Sequence, residues 1–139
     1  MSTDDDVAAR LALSLGRLSR LLRVAGGDLS HGLLSALATI AKRGPLRLAE
    51  LAQLELVSAP SATRFVTELE SRGLVVRSAD PSDGRAFLIA ATAAGTAKVL
   101  EARSARAKLI TELCSRLSDA DSAALAAAVP AIEAMAQEG

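Results

Sequence analysis

The chain has 139 residues and carries 16 basic and 16 acidic side chains, for a formal net charge of zero. That length supports one domain with one real core, and the even balance counts against a protein that meets nucleic acid through a general basic excess. Any such function must come from local placement. Half the residues are apolar, yet only Phe65 and Phe87 are aromatic. The core is therefore expected from Leu, Val, Ile and Ala, which favour closely approaching helices. A single cysteine, Cys114, cannot form an internal disulfide and suits a reducing cytoplasm. The acidic start has no signal-peptide pattern, and no apolar run is long enough for a membrane span.

Asp4 to Asp6 offer N-caps for a first helix, whose stripe Leu11, Leu15, Leu18, Leu22 ends near Gly26-Gly27. A second helix is expected over 30–43, with Leu33, Leu34, Leu37 and Ile40 inward, stopped by Gly44-Pro45. Residues 48–54 read as a short helix, followed by a tight turn at Glu55-Leu56-Val57. Ser58 is placed to cap the next helix, with Pro60 in its first turn. There Ala62, Phe65, Val66 and Leu69 share one buried face, and Gly73 ends the helix.

Two apolar runs then predict a hairpin, with strands over 74–77 and 86–90 around a turn from Asp80 to Arg85. Gly84 offers a φ > 0 option at the tip, and Pro81 stiffens the turn. Thr92 caps a long helix to about Leu117, and Ser118 starts a last Ala-rich helix that Pro130 should kink or break. The fold class is thus mainly α with a small β-hairpin wing. The whole of 1–139 is expected as a single domain, with 44–91 as a winged helix-turn-helix lobe. The terminal stretches 5–27 and 92–138 are apolar on more than one face, which predicts a helical dimerisation region and a homodimer. A monomeric bundle is the alternative.

In a helix-turn-helix the second helix enters the major groove and its first turns meet base edges. That places Ser61, Thr63, Arg64 and Thr67 nearest double-stranded DNA. Arg64 is the base-reading candidate, because a guanidinium pairs bidentately with guanine, while Ser58, Ser61 and Thr67 suit phosphate or water-bridged contacts. A solvated Arg64 paired with Glu68 is an equal reading. A wing beside that helix would lie over the backbone or minor groove, whose negative potential draws arginine. Arg85 is the candidate there, with Asp83 steadying it through a hydrogen-bonded pair.

These pieces together resemble the MarR family of bacterial winged-helix transcription regulators. They are Leu51-Ala52, Ser58 through Thr63-Arg64, Leu69-Glu70, Arg72-Gly73-Leu74-Val75, Asp80-Pro81, Asp83, Arg85, Thr92 and Gly95. The resemblance implies a homodimer built from the first and last helices, reading a roughly palindromic operator with two recognition helices and two wings. It implies that Arg85 contacts DNA from the wing, supported by Asp83, and that Arg64 lies on the recognition helix. It also implies repression relieved by a small, often aromatic or anionic ligand bound between the dimer helices and the DNA-binding lobe. Three positions depart from the pattern: Gly84 replaces the first of two adjacent arginines, Leu56 stands where Gly is common, and Ala91 rather than Leu precedes Thr92. From Lys42 to Arg85 basic residues exceed acidic ones by only one, which predicts modest affinity and a shallow salt dependence.

His31, the only histidine, is the candidate for meeting an effector carboxylate, against a capping or surface role. A ligand pocket here would be lined by Leu, Val and Ala, which favours aliphatic or amphipathic ligands. One histidine and one cysteine do not make a zinc cage by themselves, so no metal or cofactor is expected. Cys114 reads as a small buried apolar residue, against an intersubunit disulfide. No phosphate loop, histidine–nucleophile set or carboxylate pair points to an enzyme. The competing function is a winged-helix module for protein–protein contacts, with weak or no DNA binding.

Overall fold

A computed structural model describes residues 2–137. Met1, Glu138 and Gly139, which close the expected domain and the expected 92–138 stretch, lie outside the described residues. The described chain forms six helices and one antiparallel hairpin, in winged-helix order. It divides into two compact units, residues 1–106 and 107–139.

In the first unit, helix α1 spans Thr3–Ala25. Its N-cap is Ser2, not the expected aspartates. The Ser2 Oγ accepts from the Asp5 amide at 3.2 Å while the Asp5 carboxylate accepts from the Ser2 amide at 3.3 Å. This reciprocal box leaves Asp4, Asp5 and Asp6 inside the first turn, where negative charge suits the helix dipole. Helix α2, His31–Arg43, is capped by Ser30 and buries Leu33, Leu34, Leu37 and Ile40 as expected. Helix α3 covers Leu48–Glu55 and α4 covers Ala59–Ser71.

Between α3 and α4 the chain turns at Leu56, a non-glycine residue in the left-handed region at φ 55. Its side chain is 90% exposed, so the Cβ strain of this conformation is not repaid by burial. The turn is instead held by its neighbour. Glu55 accepts hydrogen bonds from the Ser35 hydroxyl at 2.7 Å and the Thr39 hydroxyl at 2.6 Å, tying the end of α3 to α2.

Gly73 closes α4 with φ 73. The Leu74 amide donates to the Leu69 carbonyl and the Gly73 amide to the Glu70 carbonyl, the paired bonds of a Schellman cap. Strand β1, Val75–Asp80, then pairs with β2, Asp83–Ala91, from Val75 opposite Ala91 to Asp80 opposite Asp83. Both strands run further than expected. Asp83, Gly84 and Arg85 belong to β2, and only Pro81 and Ser82 lie between the strands. The turn is short because the Asp80 carboxylate accepts from the Ser82 amide at 2.9 Å, an Asx turn that lets pairing continue to the tip. Gly84 is accordingly strand-like and does not use the φ > 0 option.

Leu46, just before α3, exchanges two backbone hydrogen bonds with Ile89 of β2 and so bridges the hairpin to the segment that leads into α3. Leu37, Ile40, Leu46, Leu51, Val66, Leu69 and Ile89, all fully buried, form the centre of the core. Each such side chain contributes roughly 1.5–3 kcal/mol relative to exposure. The next helix, α5, spans Ala93–Cys114. Thr92 caps it, accepting from the Gly95 amide at 3.1 Å and donating to the Gly73 carbonyl at 2.7 Å. Gly95 itself lies so close to the Leu74 carbonyl that a Cβ there would collide with backbone.

In the second unit, α6 spans Asp119–Gln137, with Ser118 accepting from the Asp121 amide at 3.1 Å. Of the kink or break expected at Pro130, the break does not occur: the helix runs through it. The surrounding alanines carry enough helix propensity to continue past the missing N–H. Cys114 is half-buried. No helix among the described residues is long and apolar enough to cross a membrane.

Candidate nucleic-acid interface

Helix α4 divides its residues cleanly. Ala62, Val66 and Leu69 are buried, whereas Thr63, Arg64, Thr67 and Ser58 before it are exposed and Ser61 is half-exposed. The buried triplet presses α4 onto α2 and α3, which aims the polar face outward. That face is organised from its N-terminus. Ser58 Oγ accepts from the Ser61 amide at 3.2 Å and donates to Ser61 Oγ at 3.0 Å. Ser61 Oγ in turn accepts from an Arg64 terminal nitrogen at 3.1 Å. The Thr63 hydroxyl donates to the Ala59 carbonyl at 3.0 Å. Arg64 thus keeps most of its donors free. It does not pair with Glu68, which instead holds Arg72 at 2.9 Å.

The hairpin stands beside this helix, and Arg77 of β1 joins the two. Its guanidinium lies 4.7 Å from the centre of the Phe87 ring and donates to the Thr67 hydroxyl at 3.4 Å. Arg77 Nε lies 3.3 Å from the Glu70 carboxylate, yet the N–H is not aimed at it and counts as buried without a hydrogen-bond partner. The contact is therefore an ion pair rather than a directed hydrogen bond. On β2, Arg85 is exposed. Asp83 does support it, but through the backbone: its carboxylate accepts from the Arg85 amide at 3.0 Å, not from the guanidinium.

The charged pair of the wing lies elsewhere. Asp80 is only 7% exposed and contacts the Arg47 guanidinium at 2.8 and 2.6 Å. The amide and hydroxyl of Ser82, with the Arg47 fork, hold its carboxyl below the usual carboxylate range. The same pair raises the Arg47 guanidinium. The seven basic residues from Lys42 to Arg85 therefore fall into two sets. Arg47, Arg72 and Arg77 are engaged by carboxylates, whereas Lys42, Arg43, Arg64 and Arg85 form no ion pair among the described residues. The paired ones build the lobe, and the others remain available to an outside anion.

The MarR family model matches residues 29–87, the stretch from the start of α2 into the wing. An HTH-type transcriptional regulator of Mycobacterium tuberculosis is 34% identical over 140 residues, covering 99% of this chain and 98% of that relative. The chain belongs to the MarR family. An HTH-type regulator of Mycobacterium leprae is 36% identical over 114 residues, 81% of this chain and 80% of its own. Among solved structures, a transcriptional regulator protein from Pseudomonas aeruginosa superposes with a TM-score of 0.87 at 27% identity, covering 99% and 98% of the two chains. A Staphylococcus aureus MepR variant, solved bound to an oligodeoxyribonucleotide, shares the fold with a TM-score of 0.72 at 16% identity, over 93% and 96%.

For a MarR-family transcription regulator, the arrangement separates the expected site residues into groups. Ser58, Ser61, Arg64 and Thr67 share the outer part of α4, joined to the hairpin through Arg77, and Asp83 and Arg85 share the start of β2. His31 stands apart. It is exposed at the first turn of α2, beside a cavity of about 180 Å³ floored by Leu34 and Val99. Leu34, Ala38, Val99 and Ala102 share the lining with His31, Ser35, Arg103 and Arg106, so it is half polar where Leu, Val and Ala alone are expected, and Arg106 Nε is buried without a partner. These two arginines escaped the sequence reading because only the packing of α5 on α2 brings them to His31. Among the described residues no cluster of three metal-ligating side chains occurs.

Proposed function

We propose that this MarR-family regulator acts as a homodimeric repressor on a pseudo-palindromic operator. Helix α4 enters the major groove with Arg64 at base edges, and Arg85 meets the backbone or minor groove from the wing. The observation that carries the reading is the sorting of the arginines: Arg64 and Arg85 are exposed and uncommitted on the elements a winged helix presents to DNA. The dimer is supported by the uncovered apolar residues of α1 (Val7, Leu15, Leu18, Leu21) and of α6 (Leu125, Val129, Ile132). The chain as one domain, with 44–91 reading DNA and the terminal stretches joining two copies, is part of the same proposal, as is its place in the cytoplasm. An amphipathic anion in the cavity beside His31, held by Arg103 and the unpartnered Arg106 Nε, is the proposed releasing ligand.

An electrophoretic shift on the chain's own upstream region tests the core of this. Arg85→Ala should weaken binding by about tenfold on all sequences, and Arg64→Ala should in addition relax preference at a few base pairs. No sequence-preferring complex even at low salt would sink the reading and favour the protein-interaction module.

A further inference from the structure

We propose that Arg47 and Asp80 are positioning residues for DNA binding, which set the direction of the wing so that Arg85 reaches the duplex. This rests on the wing reading above and adds two residues that touch no DNA. Asp80 is the one buried charged side chain among the described residues. Both of its oxygens are saturated: one faces Arg47 Nε at 2.8 Å and an Arg47 terminal nitrogen at 2.6 Å, and the other accepts from the Ser82 amide at 2.9 Å and hydroxyl at 2.8 Å. Arg47 is itself fixed, as the residue before the first turn of α3, with its amide donating to the Glu50 carboxylate at 3.2 Å. The pair therefore ties the helix-turn-helix to the last residue of β1, next to the tip.

A two-stranded hairpin has little stability or direction of its own. This one is gripped twice: near its base by the backbone rung between Leu46 and Ile89, and near its tip by the next residue, Arg47. The second grip lies where the register shifts between Ala79 and Asp80, an irregularity that re-aims a strand. Both Arg47 nitrogens converge on one carboxylate oxygen, the Nε through a charge-assisted hydrogen bond, and such a bond is directional where an apolar contact would fix only proximity. It also conceals a negative charge that would repel phosphate this close to Arg85. Asp83, directly opposite Asp80 across the hairpin, shapes only the local backbone of Arg85.

The test uses the full chain and a labelled duplex enriched by that chain from random DNA. Asp80→Asn and Arg47→Gln should each weaken binding by about tenfold, as Arg85→Ala does. In an Arg85→Ala background neither should weaken it further, because they act through the same side chain. Wild-type affinity in the single variants, or losses that add fully to that of Arg85→Ala, would overturn the proposal. Arg47→Lys keeps the charge but not the fork, and gives the same reading if Asp80→Asn does not fold. A wild-type chain that enriches no duplex ends the DNA-binding reading instead. Amide hydrogen exchange at Ser82 then decides the strut alone: faster exchange in Arg47→Gln supports it, and unchanged exchange overturns it.

Discussion

The lobe from Leu29 to Ala102 holds every buried hydrophobic residue of the described chain, whereas α1 and α6 bury none. The contrast is not one of composition, since α1 and α6 are as rich in Leu, Val and Ala as the lobe. What differs is that the lobe's helices and hairpin cover one another, while the apolar residues at each end of the chain stay open. Within the lobe, Lys42, Arg43, Arg64 and Arg85 are left without an ion pair among the described residues. An apolar surface of this kind is completed by another apolar surface, and uncommitted arginines are completed by an anion. Each region thus names the chemistry of its partner through what it has left unmatched.

The largest test of that contrast makes one kind of change in both regions. Leu37→Ala removes a fully buried side chain from the lobe and should lower the unfolding free energy by about 2–5 kcal/mol, read by urea denaturation. Leu18→Asp, on the open stripe of α1, should instead halve the mass seen in sedimentation at micromolar protein. It should also leave the circular dichroism of the lobe in place. If Leu18→Asp leaves the mass unchanged, the stripe is not where two copies meet and the contrast loses its meaning.

A smaller change sharpens the other half. Gly84 has no atom within 4 Å of where a Cβ would stand, and its backbone suits any residue. Gly84→Arg should therefore fold normally and add one free cation per wing. The slope of log affinity against log salt should steepen by about 0.9 for each phosphate gained. An unchanged slope would mean that the start of β2 does not lie against the backbone.

The helices were legible because their signals are local. Caps, glycine stops and apolar spacing placed α2, α3 and α4 within a residue or so of their bounds, and Ala62, Val66 and Leu69 on the core side. The hairpin was legible only as a hairpin. Its length depends on cross-strand pairing and on the Asp80 Asx turn, neither of which appears in the alternation of residues. The site divides in the same way. Arg64 and Arg85 follow from position on their own elements, but Arg47 and Asp80 are 33 residues apart, and Glu55 is 16 and 20 from its two hydroxyl partners. Such pairs become visible only when the fold closes. The near-equal charge count concealed the important fact, which is that three of the six arginines from Arg43 to Arg85 (Arg47, Arg72 and Arg77) are paired with carboxylates.

The smallest expected effect concerns how the lobe keeps its one buried charge. The Asp80 carboxyl lies below its ordinary value of 3.8, first because Ser82 bonds the ionised form and then because Arg47 does. A depressed carboxylate contributes stability that is fully present above the unfolded value and lost as pH falls through the folded one. Arg47 stays charged throughout, and Asp83 and Glu50, the other carboxylates acting on it, only reinforce that charge. The stability difference between wild type and Asp80→Asn should therefore be constant near neutrality and shrink only below about pH 4. Parallel acid melts would check this. A difference that already narrows around pH 6 would mean that some other group governs the wing, because a carboxylate with this environment has no proton to gain there.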